Sequence, residues 1–296
     1  MMKSSEIRQI ARNKLAGNWP KAFAITTLFV AIDLALTYCL SLIKNFAVNT
    51  PIIYYAVEII FTLLLLPVTF GYISTMIKLI NGKKPAYTEM INDAILNSSK
   101  VIGLFFRIMI KIIIPALIII VAAISILFLT YSKFELNWNT LSGYLLLILF
   151  LYLIAAILIA IISLPYSLAN YALANDNTLS SKEALEKSIA LMDGNKWNLV
   201  KLILSFMGWM LLIGSIIAVA LRYTPEVTHD LITGIGSILL LPYIISSIAI
   251  FYDELNDVKI EIANDKTRNE TATETVDTTG ETLKTVDEIL NDDNNE

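Results

Sequence analysis

Six long apolar segments, arranged as three pairs, constrain the fold of this chain more than any other feature. Each reaches the length of about 20 residues that a helix needs to cross a hydrocarbon core of about 30 Å. They cover residues 22–43, 52–78, 101–130, 142–170, 197–221 and 231–252. None alternates strictly between apolar and polar residues, and within lipid only a helix or a closed barrel satisfies its own backbone groups. The pattern therefore predicts an all-α, polytopic membrane bundle of six transmembrane helices in three tandem hairpins.

The composition agrees with a chain that is largely solvated by lipid. Of its residues, 56% are hydrophobic and 16% are charged, whereas soluble domains carry about 25% charged residues. Residues 253–296 hold 14 acidic and 4 basic side chains, a net charge of −10. Because the whole chain carries −4, the preceding residues carry +6. We therefore predict an integral membrane domain over residues 1–255, followed by a separate acidic segment.

The acidic segment, residues 256–296, is rich in Thr, Asn, Asp and Glu. Such a composition cannot bury enough apolar surface to offset the entropy of ordering, so we predict a disordered cytoplasmic tail. One stretch of it has apolar residues at helical spacing, namely Leu283, Val286, Ile289 and Leu290. Two interpretations remain open: a docking motif for a protein partner, or part of a solvated spacer.

Lysine and arginine alternate in density from one connection to the next. The N-terminal arm, the connection between spans two and three, and that between spans four and five each hold four or five basic residues. The other three connections hold one each, at Lys44, Lys133 and Arg222. Because basic connections stay on the cytoplasmic side, we predict a multi-pass protein of the bacterial plasma membrane with both termini in the cytoplasm.

A short amphipathic helix is predicted ahead of each hairpin, at the cytoplasmic surface. Their apolar stripes are Ile7, Ile10, Ala11 and Leu15; Ile91, Ala94 and Ile95; and Leu185, Ser188, Ile189 and Met192. In the third helix, Ser180 and Glu183 form a capping-box pattern, and Gly194 is placed to end it. Such helices either bind anionic lipid headgroups or pack against the spans and fix their topology. Trp19 and Trp197, at two of the junctions, are predicted to be anchors at headgroup level.

The chain start and residues 164–255 carry motifs of a known family. They are Asn13-Lys14-Leu15-Ala16-Gly17-Asn18-Trp19, Leu164-Pro165-Tyr166-Ser167, Gly194-Asn195-Lys196-Trp197, Leu204-Ser205-Phe206-Met207-Gly208-Trp209 and Leu241-Pro242-Tyr243. In these motifs the chain resembles the bacterial integral membrane proteins catalogued as domain of unknown function 975. The likeness covers residues 1 to about 255, and the middle hairpin matches loosely because its junction lacks a Trp. The resemblance implies a multi-pass plasma membrane protein without an established activity, and it supplies no catalytic residues.

Four ionisable residues fall inside predicted spans, where charges are costly and often functional. They are Asp33 in the first span, Glu58 in the second, and Arg107 and Lys111 in the third. At about 1.5 Å per residue, Asp33 and Lys111 lie at similar depth and could pair. One interpretation is a polar seam through which an ion or small solute passes. In the other, Arg107 and Lys111 extend toward the inner headgroups, and Asp33 bonds to a hydroxyl or is protonated.

Prolines interrupt the spans at four positions, each of which removes a helical hydrogen bond and is a predicted kink. They are Pro67, Pro115, Pro165 and Pro242. Discontinuous helices line binding sites in many transporters. The repeats here run parallel, however, so kinks that shape packing in a pseudo-threefold bundle are the other interpretation.

No residue pattern indicates an enzyme. The chain lacks a phosphate-binding Gly-Lys-Ser/Thr loop, a His-Glu-x-x-His metal site and a Gly-x-Ser-x-Gly nucleophile motif. Cys39 is its one cysteine and His229 its one histidine. We therefore predict no catalytic residues, no metal site and no cofactor. The basic residues lie at membrane boundaries and the largest soluble segment is acidic, which disfavours a nucleic-acid partner.

Two functions remain, with an intramembrane enzyme as a weaker third because acid–base groups are nearly missing. The first is a non-enzymatic membrane protein that organises the inner membrane surface or a membrane complex. Its partners would be the bilayer, anionic headgroups at the cytoplasmic face and a protein bound to the acidic tail. The second is a small-solute or ion permease that uses the polar residues of spans one to three.

Overall fold

A computed structural model describes residues 2–46, 50–131, 138–225 and 228–292 of the chain. Within these ranges the protein is built from helices, with no strand. The helices are α1 Ser4–Leu15, α2 Trp19–Phe46, α3 Pro51–Ile80, α4 Tyr87–Leu96, α5 Ser98–Tyr131, α6 Trp138–Ser163, α7 Ala169–Asn175, α8 Ser181–Met192, α9 Lys196–Leu204, α10 Met207–Tyr223 and α11 His229–Asp292. The predicted all-α class is therefore confirmed.

Five segments of the described chain are long and apolar enough to cross a membrane. They are Trp19–Ile43, Ile52–Ile80, Ser98–Thr130, Gly143–Asn175 and His229–Glu261. A sixth crossing arises if α9 and α10, which meet at a bend of 40°, form one broken span. The chain is accordingly an all-helical protein with five to six helices of membrane-spanning character.

The fourth and fifth spans are broken, and only one of the breaks was predicted. Pro165 lies in a 3-10 turn, Leu164–Tyr166, that separates α6 from α7. The second break, at Ser205–Phe206 between α9 and α10, contains no proline and was not predicted. At the other predicted kinks the helices continue through the proline: Pro67 in α3, Pro115 in α5 and Pro242 in α11.

Helices α1, α4 and α8, which we call the amphipathic layer, pack against the ends of the longer helices. Contacts join α4 to α3, α8 to α5 and α7, and α1 to α3 and α9. Most of the predicted apolar stripes of α1 and α8 are buried, as are Met90 and Ala94 of α4. Leu104 of α5, Ala169 of α7 and Leu185 of α8 form one buried cluster. The layer therefore covers an interior at one end of the long helices.

The predicted stripe of α4 is wrong in register. Ile95 is 66% exposed. The buried face of α4 consists instead of Met90, Asp93 and Ala94. The helix is rotated relative to the prediction because Asp93 forms an ion pair with α3, and because α3 and α4 approach closely at Gly71. A search for apolar residues alone could not find a face that is centred on a paired aspartate.

Much of the surface away from this interior is apolar. In the most apolar 18 residues of Ser98–Thr130 and of Gly143–Asn175, no residue is buried. Ile118, Phe128 and Tyr152 are among the large exposed side chains of these helices. Surfaces of this kind on membrane-spanning helices are solvated by lipid tails or by a neighbouring protein, since neither penalises apolar exposure.

The last helix continues beyond the apolar segment to Asp292, through residues for which the sequence predicted disorder. Residues 253–292 belong to a compact unit separate from residues 2–252. A helix that is already nucleated extends at low cost, because each added residue gains one hydrogen bond. No proline stands within residues 256–292 to stop it. The predicted disorder is therefore not shown for this part of the tail.

Replacing Gly71 with alanine is expected to lower the free energy of unfolding by about 2 kcal/mol, because overpacked contacts typically cost about 1–3 kcal/mol. A Cβ atom at this position would lie 2.1 Å from the backbone oxygen of Met90 and 3.1 Å from the Cβ of Ala94. Because one obstacle is backbone, α4 must move away. Unfolding by SDS in mixed micelles, followed by circular dichroism, measures the effect. Gly214→Ala is the control, since nothing lies within 4 Å of that position; equal stability of the two variants would contradict this packing.

Candidate functional site

Of the four residues of the predicted seam, Asp33 lines a cavity that the other three do not line. The cavity has a volume of about 190 Å³, and its other polar residues include Thr37, and Asp230 and Thr233 of α11. Apart from residues of its own helix, the cavity lining around Asp33 therefore comes from the last helix and not from α5.

The other three members of the predicted seam lie apart from that cavity lining. Arg107 and Lys111 are exposed on α5, and Glu58 is half-buried on α3. Among the described residues, none of the four forms an ion pair with another. The structure thus does not bring Asp33 and Lys111 together as a pair.

A cluster of partly buried paired charges lies between α3 and α4. The ammonium of Lys78 lies 2.8 Å from Oδ2 of Asp93 and 3.0 Å from Oε2 of Glu89. The hydroxyl of Ser74, itself buried, donates to Oδ2 of Asp93 at 2.6 Å. Asn97 donates from its side chain to the backbone oxygen of Asp93 at 3.1 Å. We call Ser74, Lys78, Glu89 and Asp93 the ion cluster.

The ion cluster holds α4 onto α3. Asp93 is only 9% exposed, and an ionised carboxylate at such a position needs both a counter-charge and hydrogen bonds. The backbone N–H of Ala86, followed by the side chain of Lys78, holds the pKa of Glu89 below its ordinary value. The sequence alone does not indicate the cluster, because Lys78 is one of the basic residues beside the connection between spans two and three and there indicates only topology. A signal was present, since Asp93 lies about one helical turn from the apolar Met90 on one side and from the polar Asn97 on the other.

The three helices of the amphipathic layer begin with the same contact. A glutamate in the first turn accepts a hydrogen bond from the backbone N–H of the residue before the helix. The three bonds are Lys3 to Glu6 at 2.9 Å, Ala86 to Glu89 at 2.8 Å and Ser180 to Glu183 at 2.7 Å. The hydrogen bond from the backbone N–H of Ser180 is the main reason that the pKa of Glu183 lies below its ordinary value.

Only the third of these caps was predicted, because it alone has a serine in the capping position. There the structure also gives the return bond, from the backbone N–H of Glu183 to the Ser180 hydroxyl at 3.3 Å. After α1 and α8 the chain turns at Gly17 and Gly194, whose φ angles are +79° and +73°. Both glycines adopt a backbone conformation that favours a residue without a side chain.

A buried serine of α8 satisfies the break in the fourth span. The hydroxyl of Ser188 donates to the backbone oxygen of Pro165 at 2.7 Å and accepts from the backbone N–H of Leu168 at 3.2 Å. Ser188 is fully buried. A proline break leaves backbone groups without helical partners, so one hydroxyl supplies both a donor and an acceptor. The sequence placed Ser188 on the apolar stripe without indicating this role.

The two tryptophans predicted as anchors have different surroundings. Trp19 is half-buried, and its ring centroid lies 5.4 Å from that of Phe23 and 6.3 Å from that of Tyr243. Trp197 is 70% exposed. Their depth in a bilayer remains a prediction for both.

Among the described residues, no group of three or more His, Cys, Asp or Glu side chains is arranged to hold a metal ion. The family described as "Protein of unknown function (DUF975)" matches residues 1–259. The chain belongs to this family. The match covers the amphipathic layer, the ion cluster and, apart from the last two residues of His229–Glu261, the segments of membrane-spanning character. No curated protein and no solved structure matches the chain.

Proposed function

We propose that this DUF975 protein is a non-enzymatic membrane protein that organises the inner membrane surface or a membrane complex. In this proposal six spans form three tandem hairpins, with α9 and α10 as one broken span. Both termini are cytoplasmic, and the amphipathic layer lies at the inner surface. The repeated glutamate cap of α1, α4 and α8 supports three related units.

The proposal rests on the way the amphipathic layer is fixed to the longer helices. The apolar faces of its helices are buried against protein, and the ion cluster and Ser188 tie two of its helices to the spans. The opposite faces of α1 and α8 are polar and exposed, whereas α4 also exposes Ile95 and Leu96. Together they form a fixed surface on which other components can assemble. The spans meanwhile expose apolar faces suited to lipid or to another membrane protein.

The second candidate, a permease, is favoured by the cavity that Asp33 and Asp230 line. Two carboxylates and two threonine hydroxyls are oxygen donors of the kind that coordinate hard cations. The cavity holds about 190 Å³, and the basic residues of the predicted seam do not line it. We therefore place the scaffold first.

Vesicle reconstitution separates the two functions. Purified protein in liposomes is expected to leave ion and small-solute flux at the level of empty vesicles. In cells, a proximity-labelling enzyme fused to the N-terminus is expected to mark a reproducible set of neighbours, and Lys78→Ala is expected to lose it because α4 is released. Flux that Asp33→Asn abolishes would instead establish the permease.

Thiol labelling tests the proposed topology, because Cys39 is the single cysteine to remove. In a Cys39→Ser background, a cysteine at Tyr223 is expected to react with a membrane-impermeant maleimide in intact cells. A cysteine at Lys84 is expected to react only after lysis. Both positions are exposed in the structure, so the protein itself shields neither cysteine from the maleimide. Labelling of the Lys84→Cys variant in intact cells would overturn the assignment of sides.

A further inference from the structure

A cavity lies where α1 meets the first turns of α10 and the Leu239–Tyr243 part of α11, and it has two chemically different walls. Its volume is about 580 Å³, within the range of about 300–1,000 Å³ that small-molecule sites occupy. One wall comes from α1 and presents Arg8 and Arg12. No aspartate or glutamate of the described chain lines the cavity. An excess of two positive charges therefore faces an otherwise neutral space.

The opposite wall is apolar and aromatic. Trp209 and Ile213 of α10 line it, together with Leu240 and Tyr243 of α11. These residues lie in helices of membrane-spanning character. The cavity thus combines a cationic rim on the amphipathic helix α1 with an apolar wall formed by helices of membrane-spanning character.

Arg8 is held in place before any ligand arrives. Its Nη1 donates to the backbone oxygen of Ser205 at 3.1 Å, and its guanidinium lies 5.8 Å from the ring centroid of Phe206. The hydroxyl of Tyr243 donates to the backbone oxygen of Arg8 at 3.1 Å. The rings of Phe206 and Tyr243 meet edge to face with centroids 5.1 Å apart. Preorganisation of this kind reduces the entropy that binding must overcome.

Neither arginine has a carboxylate partner. The ion pairs in the described part of the chain involve neither Arg8 nor Arg12, and the Nε of Arg8 is buried without a hydrogen-bond partner. Planar guanidinium groups pair well with phosphate oxygens through parallel hydrogen bonds. The break at Ser205–Phe206, which had no proline to explain it, supplies both the carbonyl and the ring that orient Arg8. The bend therefore builds one side of this site.

From these observations we infer that the cavity binds an anionic membrane phospholipid. The phosphate lies against Arg8 and Arg12, and an acyl chain lies along Trp209, Ile213 and Leu240. A free anion would leave the apolar wall unused, and a neutral lipid would leave the two arginines uncompensated. The inference deepens the proposed function and rests on it in one respect, since α1 must lie at the membrane surface.

Fluorescence quenching by brominated lipid provides the test, because Trp209 lines the cavity. The full-length protein is reconstituted in nanodiscs of phosphatidylcholine, to which phosphatidylglycerol with brominated acyl chains is added. We expect stronger quenching than with brominated phosphatidylcholine at the same mole fraction. Trp19 lines the cavity as well, so Trp19→Phe combined with Trp209→Phe is expected to remove most of the difference. Excess inorganic phosphate is expected to leave quenching unchanged, and displacement by phosphate would identify a free-anion site and overturn the lipid.

A matched pair of variants on α1 separates the cavity from general surface charge. Arg12→Gln is expected to weaken the preference for phosphatidylglycerol about fivefold to tenfold, since one charge-assisted contact is lost. Lys14→Gln makes the same change of charge on the same helix outside the cavity, and a smaller effect is expected. Both side chains are exposed, so both variants should fold, which circular dichroism verifies.

Equal effects of Arg12→Gln and Lys14→Gln would overturn the site in favour of non-specific attraction. If phosphatidylglycerol quenches no more than phosphatidylcholine while thiol labelling confirms the topology, this inference fails and the proposed function stands. If Lys84→Cys is labelled in intact cells, or Tyr223→Cys only after lysis, the placement of α1 at the inner surface is rejected. The proposed function and the lipid site both depend on that placement.

Discussion

Asp93→Leu is expected to lower the free energy of unfolding by about 3 kcal/mol, the low end of the range for breaking a buried pair by removing one partner. Asp93 lies 2.8 Å from the ammonium of Lys78 and accepts the Ser74 hydroxyl at 2.6 Å. The substitution leaves a partly buried cation with only Glu89, and a buried hydroxyl without its acceptor. Equilibrium unfolding by SDS in mixed micelles measures the change, and α4 should become accessible to protease before the spans unfold.

The exposed pair of Lys182 and Glu186 provides the control for this experiment. Their side chains are 66% and 62% exposed and their charged atoms lie 3.7 Å apart. Exposed pairs contribute about 0.2–1 kcal/mol, so Lys182→Ala should change stability far less than Asp93→Leu. A small loss of stability in both variants would show that the ion cluster does not hold α4 in place.

Ser188→Ala is expected to destabilise the protein by about 2–3 kcal/mol. The hydroxyl is the described partner of the Pro165 backbone oxygen and the Leu168 backbone N–H, and each buried polar group left unpaired costs about 1–3 kcal/mol. Loss of the hydroxyl should loosen α8 from the break between α6 and α7. Hydrogen exchange of residues 164–175 and 181–192, together with the SDS unfolding curve, measures both consequences.

Ser215→Ala is the matched control for Ser188→Ala. Its hydroxyl donates to the backbone oxygen of Leu211 in its own helix at 2.7 Å, and it is exposed. Exposed substitutions of this kind usually change stability by less than about 0.5 kcal/mol. Indistinguishable unfolding and exchange for the two variants would show that the proline break does not depend on Ser188.

The positions of the apolar helices were predictable because hydropathy is a property of each residue. The predicted spans 52–78 and 101–130 match the segments Ile52–Ile80 and Ser98–Thr130. The cap at Ser180 and Glu183 and the helix end before Gly194 were also predictable, since both depend on contacts within four residues. The break at Ser205–Phe206 was not, because no local breaker residue marks it.

The partners of the polar side chains on other helices were not predictable. Similar depth along two spans suggested that Asp33 pairs with Lys111, yet Asp33 lies beside Asp230 and Thr233 of α11. Depth gives one coordinate of a side chain, whereas pairing requires the order and rotation of the helices in the plane of the membrane. The same limitation hid the partners of Asp93 and Ser188, which lie 15 or more residues away in the chain.

The sequence by itself thus determines which segments of this chain are apolar, which are charged and where short helices begin and end. Those properties arise from neighbours within a turn of helix and from transfer between water and lipid. Packing alone decides that Lys78 meets Asp93, that Ser188 closes the break at Pro165, and that Arg8 and Arg12 face a cavity walled by Trp209. Each of these contacts joins different helices, and their geometry depends on close fits such as that at Gly71, which no local pattern encodes.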